Sequence, residues 1–276
     1  MMLAMAGFIL NDVLVKLSAP HLPLGQIILV RGLICIVLMV AVCQITGAFR
    51  HFRHLRHKTV ALRTFAEVMA TLLYLSALLH LPIANATAIL QALPLVVTAG
   101  SAMVLKAHVG WRRWTAIGIG FAGVLLIVRP GLEGFNAWGL LAIGAVFFMA
   151  MRDLATKGMP KEVPTFGVAL LAVLGVTVLG LGMTVAEGWQ PMETKTYFYL
   201  TGAAGFILVG YIFIIIAMRN GEISIIAPFR YSIVVWALFL GYFIWGDVPD
   251  TLTLFGTLVI VLTGIYTFFR EQRSSS

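Results

Sequence analysis

Ten apolar runs, each about long enough to cross a hydrocarbon layer, follow one another with only short polar breaks between them. They cover about 2–17, 24–46, 62–80, 83–105, 113–128, 137–154, 165–186, 197–218, 223–245 and 252–269. A spanning helix needs roughly 20 mostly apolar residues, and in lipid only helices or closed barrels satisfy their own backbone groups. The breaks hold the residues that end helices: Pro20 and Pro23, Pro82, Arg129-Pro130-Gly131, Pro160 and Pro164, Asn220-Gly221, and Pro249. Composition removes the soluble alternative, since 61% of the chain is hydrophobic and 11% charged, with a mean hydropathy of +1.00. Ordinary soluble domains are about 45–50% apolar and about 25% charged. The pattern predicts an all-α membrane protein with ten transmembrane helices.

The net charge of +8 lies in short loops, so it reads as membrane orientation and not as a nucleic-acid-binding surface. Loops on one side, with the C-terminal tail, hold Arg50, Arg53, Arg56, Lys58, Arg63, Lys106, Arg112, Arg113, Arg152, Lys157, Lys161, Arg219, Arg270 and Arg273. The other side has Lys16, Arg129 and Lys195 beside Glu133, Glu187, Glu193, Asp247 and Asp250. The expectation is an inner-membrane protein with both termini cytoplasmic. Met1 to Leu17 lacks a basic leader and carries Asn11, Asp12 and Lys16, so it reads as a first helix and not a cleaved signal.

Leu105 to Gly123 can be laid over Gly246 to Gly264, a displacement of 141 residues that equates the fourth and fifth runs with the ninth and tenth. A repeat of five helices is odd, so the second copy is inverted in the membrane. The predicted units are 1–130 and 131–276, an arrangement transporters use to rock around a midplane site.

Further residues carry a resemblance. Asn11-Asp12 in the first helix, Pro23-Leu24-Gly25-Gln26 running to Arg31-Gly32, Ala84 to Pro94, Arg152-Asp153, and Ala227-Pro228-Phe229-Arg230-Tyr231 resemble the drug/metabolite transporter superfamily, in particular its EamA-type members. Within it the chain is similar to exporters of the aromatic-amino-acid type, and also to S-adenosylmethionine and riboflavin carriers. The resemblance implies a central cavity lined by helices one to four and six to nine, with five and ten outside. One departure is Lys106, where many relatives place an acidic residue.

Charged side chains at membrane depth cost at least about 2.5–3.5 kcal/mol on insertion scales and normally face a partner or a wet cavity. Asp12 with Arg31, and Glu67 with Arg230, are expected to form two opposite-charge sets, serving as gates or gripping a zwitterion. Static ion pairs, including Asp12 with Lys16 one turn on, are the alternative. Tyr74, Trp138, Tyr211, Tyr231, Trp236 and Tyr242 are candidates for an aromatic cavity wall or for interfacial belts, and His80, Asn85 and Gln91 for a polar path. The binding or gating set is thus Asp12, Arg31, Glu67, Tyr74, His80, Gln91, Arg230, Tyr231 and Trp236.

Other patterns resolve to packing or surface. Gly118-Ile-Gly120-Phe-Ala-Gly123 has dinucleotide-motif spacing but sits inside an apolar run, and it reads with Ala116 as a close-packing face. Ala84, Ala88 and Ala92 make another. His51, His54 and His57 alternate with arginines, which favours contact with anionic headgroups over a metal. Cys35 and Cys43 are eight residues apart on one helix and cannot pair. No phosphate-cradling loop and no hydrolase or metalloprotease motif is present, so neither an ATP-driven pump nor an enzyme is expected; no cofactor or metal is required. The expected function is amino-acid export by alternating access, as a monomer or homodimer in contact with lipid and small-molecule substrate. Uptake of S-adenosylmethionine, riboflavin or a similar metabolite, and a passive channel, are the alternatives.

Overall fold

The structure, a computed structural model, describes residues 1–47, 49, 55–104, 106, 110–129, 137–160, 162–220 and 227–275, with backbone alone for 214–220, 227, 228, 268 and 270–275. Leu105, Arg50, His51, Arg53, His54, Pro130-Gly131, Glu133, Lys161, Gly221 and the start of the ninth run lie outside the described residues, as do the side chains of Arg219, Arg270 and Arg273.

Among the described residues every regular element is a helix. Helix α1 is Met2–Ser18, α2 Leu24–Ile45 and α3 Lys58–His80; α4 has two pieces, Ile83–Leu90 and Leu93–Val104. Then follow α5 Trp111–Val128, α6 Trp138–Lys157, α7 Thr165–Glu187 and α8 Thr194–Asn220. A 3-10 turn, Ala227–Tyr231, leads into α9, Ser232–Trp245, and α10 is Thr251–Ser275. Seven of these, α2 to α8, are long and apolar enough to cross a membrane, counting both pieces of α4 as one span.

The proline breaks fall where the sequence places them. Pro23, Pro82 and Pro164 each stand immediately before a helix, where a missing N–H costs nothing. The apolar run 83–105 reads as one helix, yet α4 breaks inside it, just before Pro94. Proline offers no N–H to the Leu90 carbonyl, and the chain turns through Gln91 and Ala92 with bonds to Ala88 and Ile89, three residues back. The ninth run is interrupted as well, because Pro228 sits in its 3-10 turn.

Packing is closest between α2 and α7, α3 and α6, α1 and α8, and α5 and α10. Smaller contacts join α4 to α6, α9 to α1, α3 to α7, α2 to α8, and α4 to α9. Advancing every helix by five, with ten followed by one, returns the same set of partnerships. The α5–α10 crossing is a backbone contact. A Cβ on Gly123 would lie 2.9 Å from the Gly256 carbonyl, and one on Gly256 would lie 2.6 Å from that of Gly123. Gly120 also faces this crossing, against Leu95 and Thr263, and Ala116 is buried. Ala84, Ala88 and Ala92 are buried too. Lipid provides little hydrophobic drive between helices, so such small-residue contacts supply much of the association.

A methyl group placed in this crossing should therefore be costly. Gly123→Ala is expected to lose about 1–3 kcal/mol of stability, the usual range for overpacking. Gly118→Ala, on a face with nothing within 4 Å, should be neutral or slightly stabilising; thermal unfolding of the two variants in detergent makes the comparison.

Candidate functional site

A cavity of about 90 Å³ opens among α2, α3, α7 and α8. Its polar lining is Arg31 and Cys35 from α2, Arg63, Glu67 and Thr71 from α3, and Tyr211 from α8. Val173 and Val176 of α7 and Ile207 of α8 form an apolar wall opposite. Arg31 is seven residues into the 22-residue α2, about 10 Å from its start at 1.5 Å per residue, and so lies about a third of the way along the span. Its neighbour Gly32 packs on Thr177 of α7, so the wall closes tightly beside the guanidinium.

Arg31 is 7% exposed and does not touch Asp12 directly. Its Nη1 donates to Asn11 Oδ1 at 3.0 Å, Asn11 Nδ2 donates to Asp12 Oδ1 at 2.9 Å, and the Tyr74 hydroxyl donates to Asp12 Oδ2 at 2.6 Å. The expected pair is thus a four-residue chain running from α3 through α1 to α2. Nor does Asp12 pair with Lys16, whose ammonium donates to the Leu81 carbonyl and lies 5.3 Å from the Trp245 ring centroid.

The second expected set is corrected. Glu67 faces Arg152, with Nη1 at 3.3 and 3.4 Å from its two oxygens, while Arg63 Nη2 lies 3.9 Å away. Arg152 also donates from Nε to Asp153 at 2.9 Å, and Arg63 Nε to Thr156 at 3.0 Å. Arg230 is exposed on the 3-10 turn, because that turn packs on α1, α9 and α10 and away from α3. Nη1 of Arg63 is buried with no partner. Buried donors normally find one, so this edge is available to something entering the cavity.

Four more expectations are relocated. The Tyr231 hydroxyl presses on Gly264 of α10, outside the cavity, and Trp236 packs against the main apolar core. His80 is exposed and stacks on Trp138 with ring centroids 3.6 Å apart. Gln91 donates to the Thr87 carbonyl of its own helix at 3.2 Å, at the α4 break. Of the nine expected residues, Arg31 and Glu67 line the cavity, and Asp12 and Tyr74 support it through Asn11. In the sequence Arg63 and Arg152 count with the loop charge, and Arg152 also stands in the Arg152-Asp153 motif; the spacing of Arg63 and Glu67, four apart on one helix face, is the signal that places Arg63 in the site.

The end of the bundle carrying the acidic loops is tied shut. Gly25 N donates to Glu187 Oε2 at 2.8 Å, and Gln26 exchanges two 2.9 Å bonds with the Gln190 backbone. Arg129 pairs there with Asp250, beside a second pocket of about 280 Å³ rimmed by Asn85, Asp247 and Asp250. The Asp250 carboxyl lies outside the spans. It is held down from 3.8 to about 2, chiefly by the Arg129 hydrogen bond and then by those from Thr253.

Ten packed apolar helices enclosing a charged mid-span cavity are the build of a multi-pass membrane transporter. The sequence profile of the EamA-like transporter family matches residues 1–129 and 136–269, and the chain belongs to that family. It is 28% identical over 255 residues to a riboflavin transporter of Vibrio cholerae, covering 92% of this chain and 86% of that one. It is 25% identical to an S-adenosylmethionine uptake transporter of Rickettsia prowazekii (71% and 66% covered) and 23% identical to a pseudopaline exporter of Pseudomonas aeruginosa (95% and 92%). A crystal structure with 17% sequence identity superposes with a TM-score of 0.63, covering 99% of this chain and 98% of the other, and shows the same fold.

Two measurements check the electrostatics. Glu67→Gln takes the shared carboxylate from Arg63 and Arg152, leaving Arg152 with Asp153 alone, and should cost about 1–3 kcal/mol, since buried charge loses compensation. The Glu67→Gln/Arg152→Gln double variant should recover part of that loss in detergent unfolding. A depressed carboxyl contributes stability above its unfolded value and loses it on protonation. The Arg129–Asp250 tie is therefore complete above pH 3.8 and lost as pH falls through about 2. Unfolding in detergent should show the wild type more stable than Asp250→Asn above pH 3.8, with the difference closing as pH falls through about 2, a modest effect because the Asp250 side chain is 51% exposed.

Proposed function

We propose that the chain is a secondary carrier working by alternating access in the bacterial inner membrane, moving a small metabolite that bears an amino and a carboxylate group. Free amino acids, with broad or aromatic-leaning selectivity, and S-adenosylmethionine are the substrates in view. The observation that carries this reading is the cavity itself. Arg31 and the open edge of Arg63 suit a carboxylate, Glu67 suits an ammonium, and Tyr211 with the apolar wall receives the remainder. At about 90 Å³ the cavity is smaller than the roughly 300–1,000 Å³ of ordinary ligand sites, so binding requires the helices to part.

The rocking units are 1–130 and 131–276, and the exchange symmetry of the helix partnerships supports this division. So do matching residues: the displacement of 141 also sets Asp12 on Asp153, Lys16 on Lys157, Pro23 on Pro164 and Arg129 on Arg270. The basic loops face the cytoplasm, with both termini. The sealed end is then periplasmic, and the conformation described is closed to the outside. Relatives named for uptake and for export both occur, and one cavity serves either direction.

Riboflavin is the second reading, favoured by the 28% identity to the Vibrio cholerae transporter and by the apolar wall beside Tyr211. Proteoliposomes offered labelled amino acids, S-adenosylmethionine and riboflavin decide between them. Preloading with the same substrate should accelerate labelled uptake, which an open pore would not do. Arg31→Gln should reduce uptake of carboxylate-bearing substrates at least about tenfold, the effect of losing one charge-assisted hydrogen bond, while leaving riboflavin uptake little changed. Equal loss for both would sink the carboxylate assignment.

A further inference from the structure

Three carboxylates lie along the described spans around the cavity: Asp12, Glu67 and Asp153. Two of them touch guanidinium groups directly, Glu67 with Arg152 at 3.3 Å and Asp153 with Arg152 at 2.9 Å. Asp12 is different. It is 8% exposed, both its oxygens are taken by neutral donors, and the only cation in its chain of contacts, Arg31, is one side chain away through Asn11.

Among the described residues no other cation contacts Asp12; Lys16, one turn on, is engaged with the Leu81 carbonyl and the Trp245 ring. From α3 comes Tyr74, and from α2 Arg31. Helix α8 brings Tyr211, which feels Glu67, Arg152, Arg63 and Arg31. The loop after α9 carries Asp247, which acts on Lys16, and the 3-10 turn carries Tyr231 with the exposed Arg230. The negative charge of Asp12 is therefore held by the Tyr74 and Asn11 hydrogen bonds and by one nearby positive charge, that of Arg31, the same guanidinium that lines the cavity.

We propose that Asp12 is the proton-coupling site, and that it takes up a proton when a substrate carboxylate engages Arg31. This step rests on the carboxylate reading given above. In a low-dielectric interior one guanidinium cannot offset two carboxylates at once. As the substrate draws Arg31 toward the cavity, Asp12 loses its compensation and accepts a proton from water onto a carboxyl oxygen. When the substrate leaves, Arg31 returns to Asn11 and the proton is released to water. Substrate and proton bind together and leave together, and by linkage each raises the affinity of the other. The sign is that of symport. Export by proton exchange would need the two to compete, so an inward proton gradient drives uptake through this site.

Two measurements on the purified full chain test this, with S-adenosylmethionine as the binding probe. Wild-type affinity should rise as pH is lowered from about 7 to about 5, by up to about tenfold per pH unit for one coupled proton. Asp12→Asn should bind with pH-independent affinity and no longer accumulate the probe under a pH gradient. If Asp12→Asn does not fold, Tyr74→Phe removes one of its two donors and should displace the pH dependence. The second measurement needs no substrate. In Arg31→Gln, difference infrared spectra should show the C=O stretch of a protonated carboxyl, and that band should vanish in Arg31→Gln/Asp12→Asn. Absence of the band, or weaker probe binding at lower pH, overturns the proposal. Should the band appear while the probe fails to bind the wild type, the proton site stands and the substrate class is what falls.

Discussion

A charge placed in hydrocarbon must find a partner or water, and this requirement organises the centre of the protein. Arg31 could not sit two turns inside α2 without Asn11 to receive one of its hydrogen bonds and a cavity to receive the rest. Gly32 follows from the same need: with no side chain it lets α7 approach at Thr177, closing lipid out beside the guanidinium. On the other wall Arg152 bridges Glu67 of α3 to its own neighbour Asp153, fixing the α3–α6 pair at the depth where their charges lie. The aligned chain of Tyr74, Asp12, Asn11 and Arg31 then joins three helices.

The ends of the bundle divide the work differently. At the acidic-loop end the ties are mostly to backbone, Glu187 to Gly25, Gln26 to Gln190 and Lys16 to Leu81. Such bonds hold well-defined geometry and contribute roughly 0.5–1.5 kcal/mol net between neutral groups and roughly 1.5–3 kcal/mol where Glu187 or Lys16 brings a charge. A seal made of a few separate bonds, with backbone on one side of each, is suited to opening and closing. The charge cluster around Glu67 has the opposite character, since its members lose much more when separated.

Much of the fold was legible because lipid makes helix ends abrupt. Pro23, Pro82 and Pro164 mark starts to the residue. The break in α4 was harder to read, since Pro94 lies in an unbroken apolar run and its effect depends on the carbonyl four residues back. For the site, sequence gave depth but not azimuth. Glu67 and Arg230 were matched by their distance from one face, whereas contact depends on which helices are neighbours, and α6, not α9, lies beside α3. Arg152 was visible as part of the Arg152-Asp153 motif but was counted with loop charge. Tyr231 drew attention by standing beside Arg230, yet the space left by Gly264 turns its hydroxyl toward α10. Asp12, Arg31 and Glu67 were recoverable because an ionisable group inside an apolar run is rare enough to identify itself.

Around the cavity Arg31, Arg63 and Arg152 face Asp12, Glu67 and Asp153. A single unbalanced charge carried across the bilayer would feel about 2.3 kcal/mol for each 100 mV. Opposite charges that move as one group largely cancel that load, so the membrane voltage weighs less on the residues that grip a cargo than on a charged cargo itself.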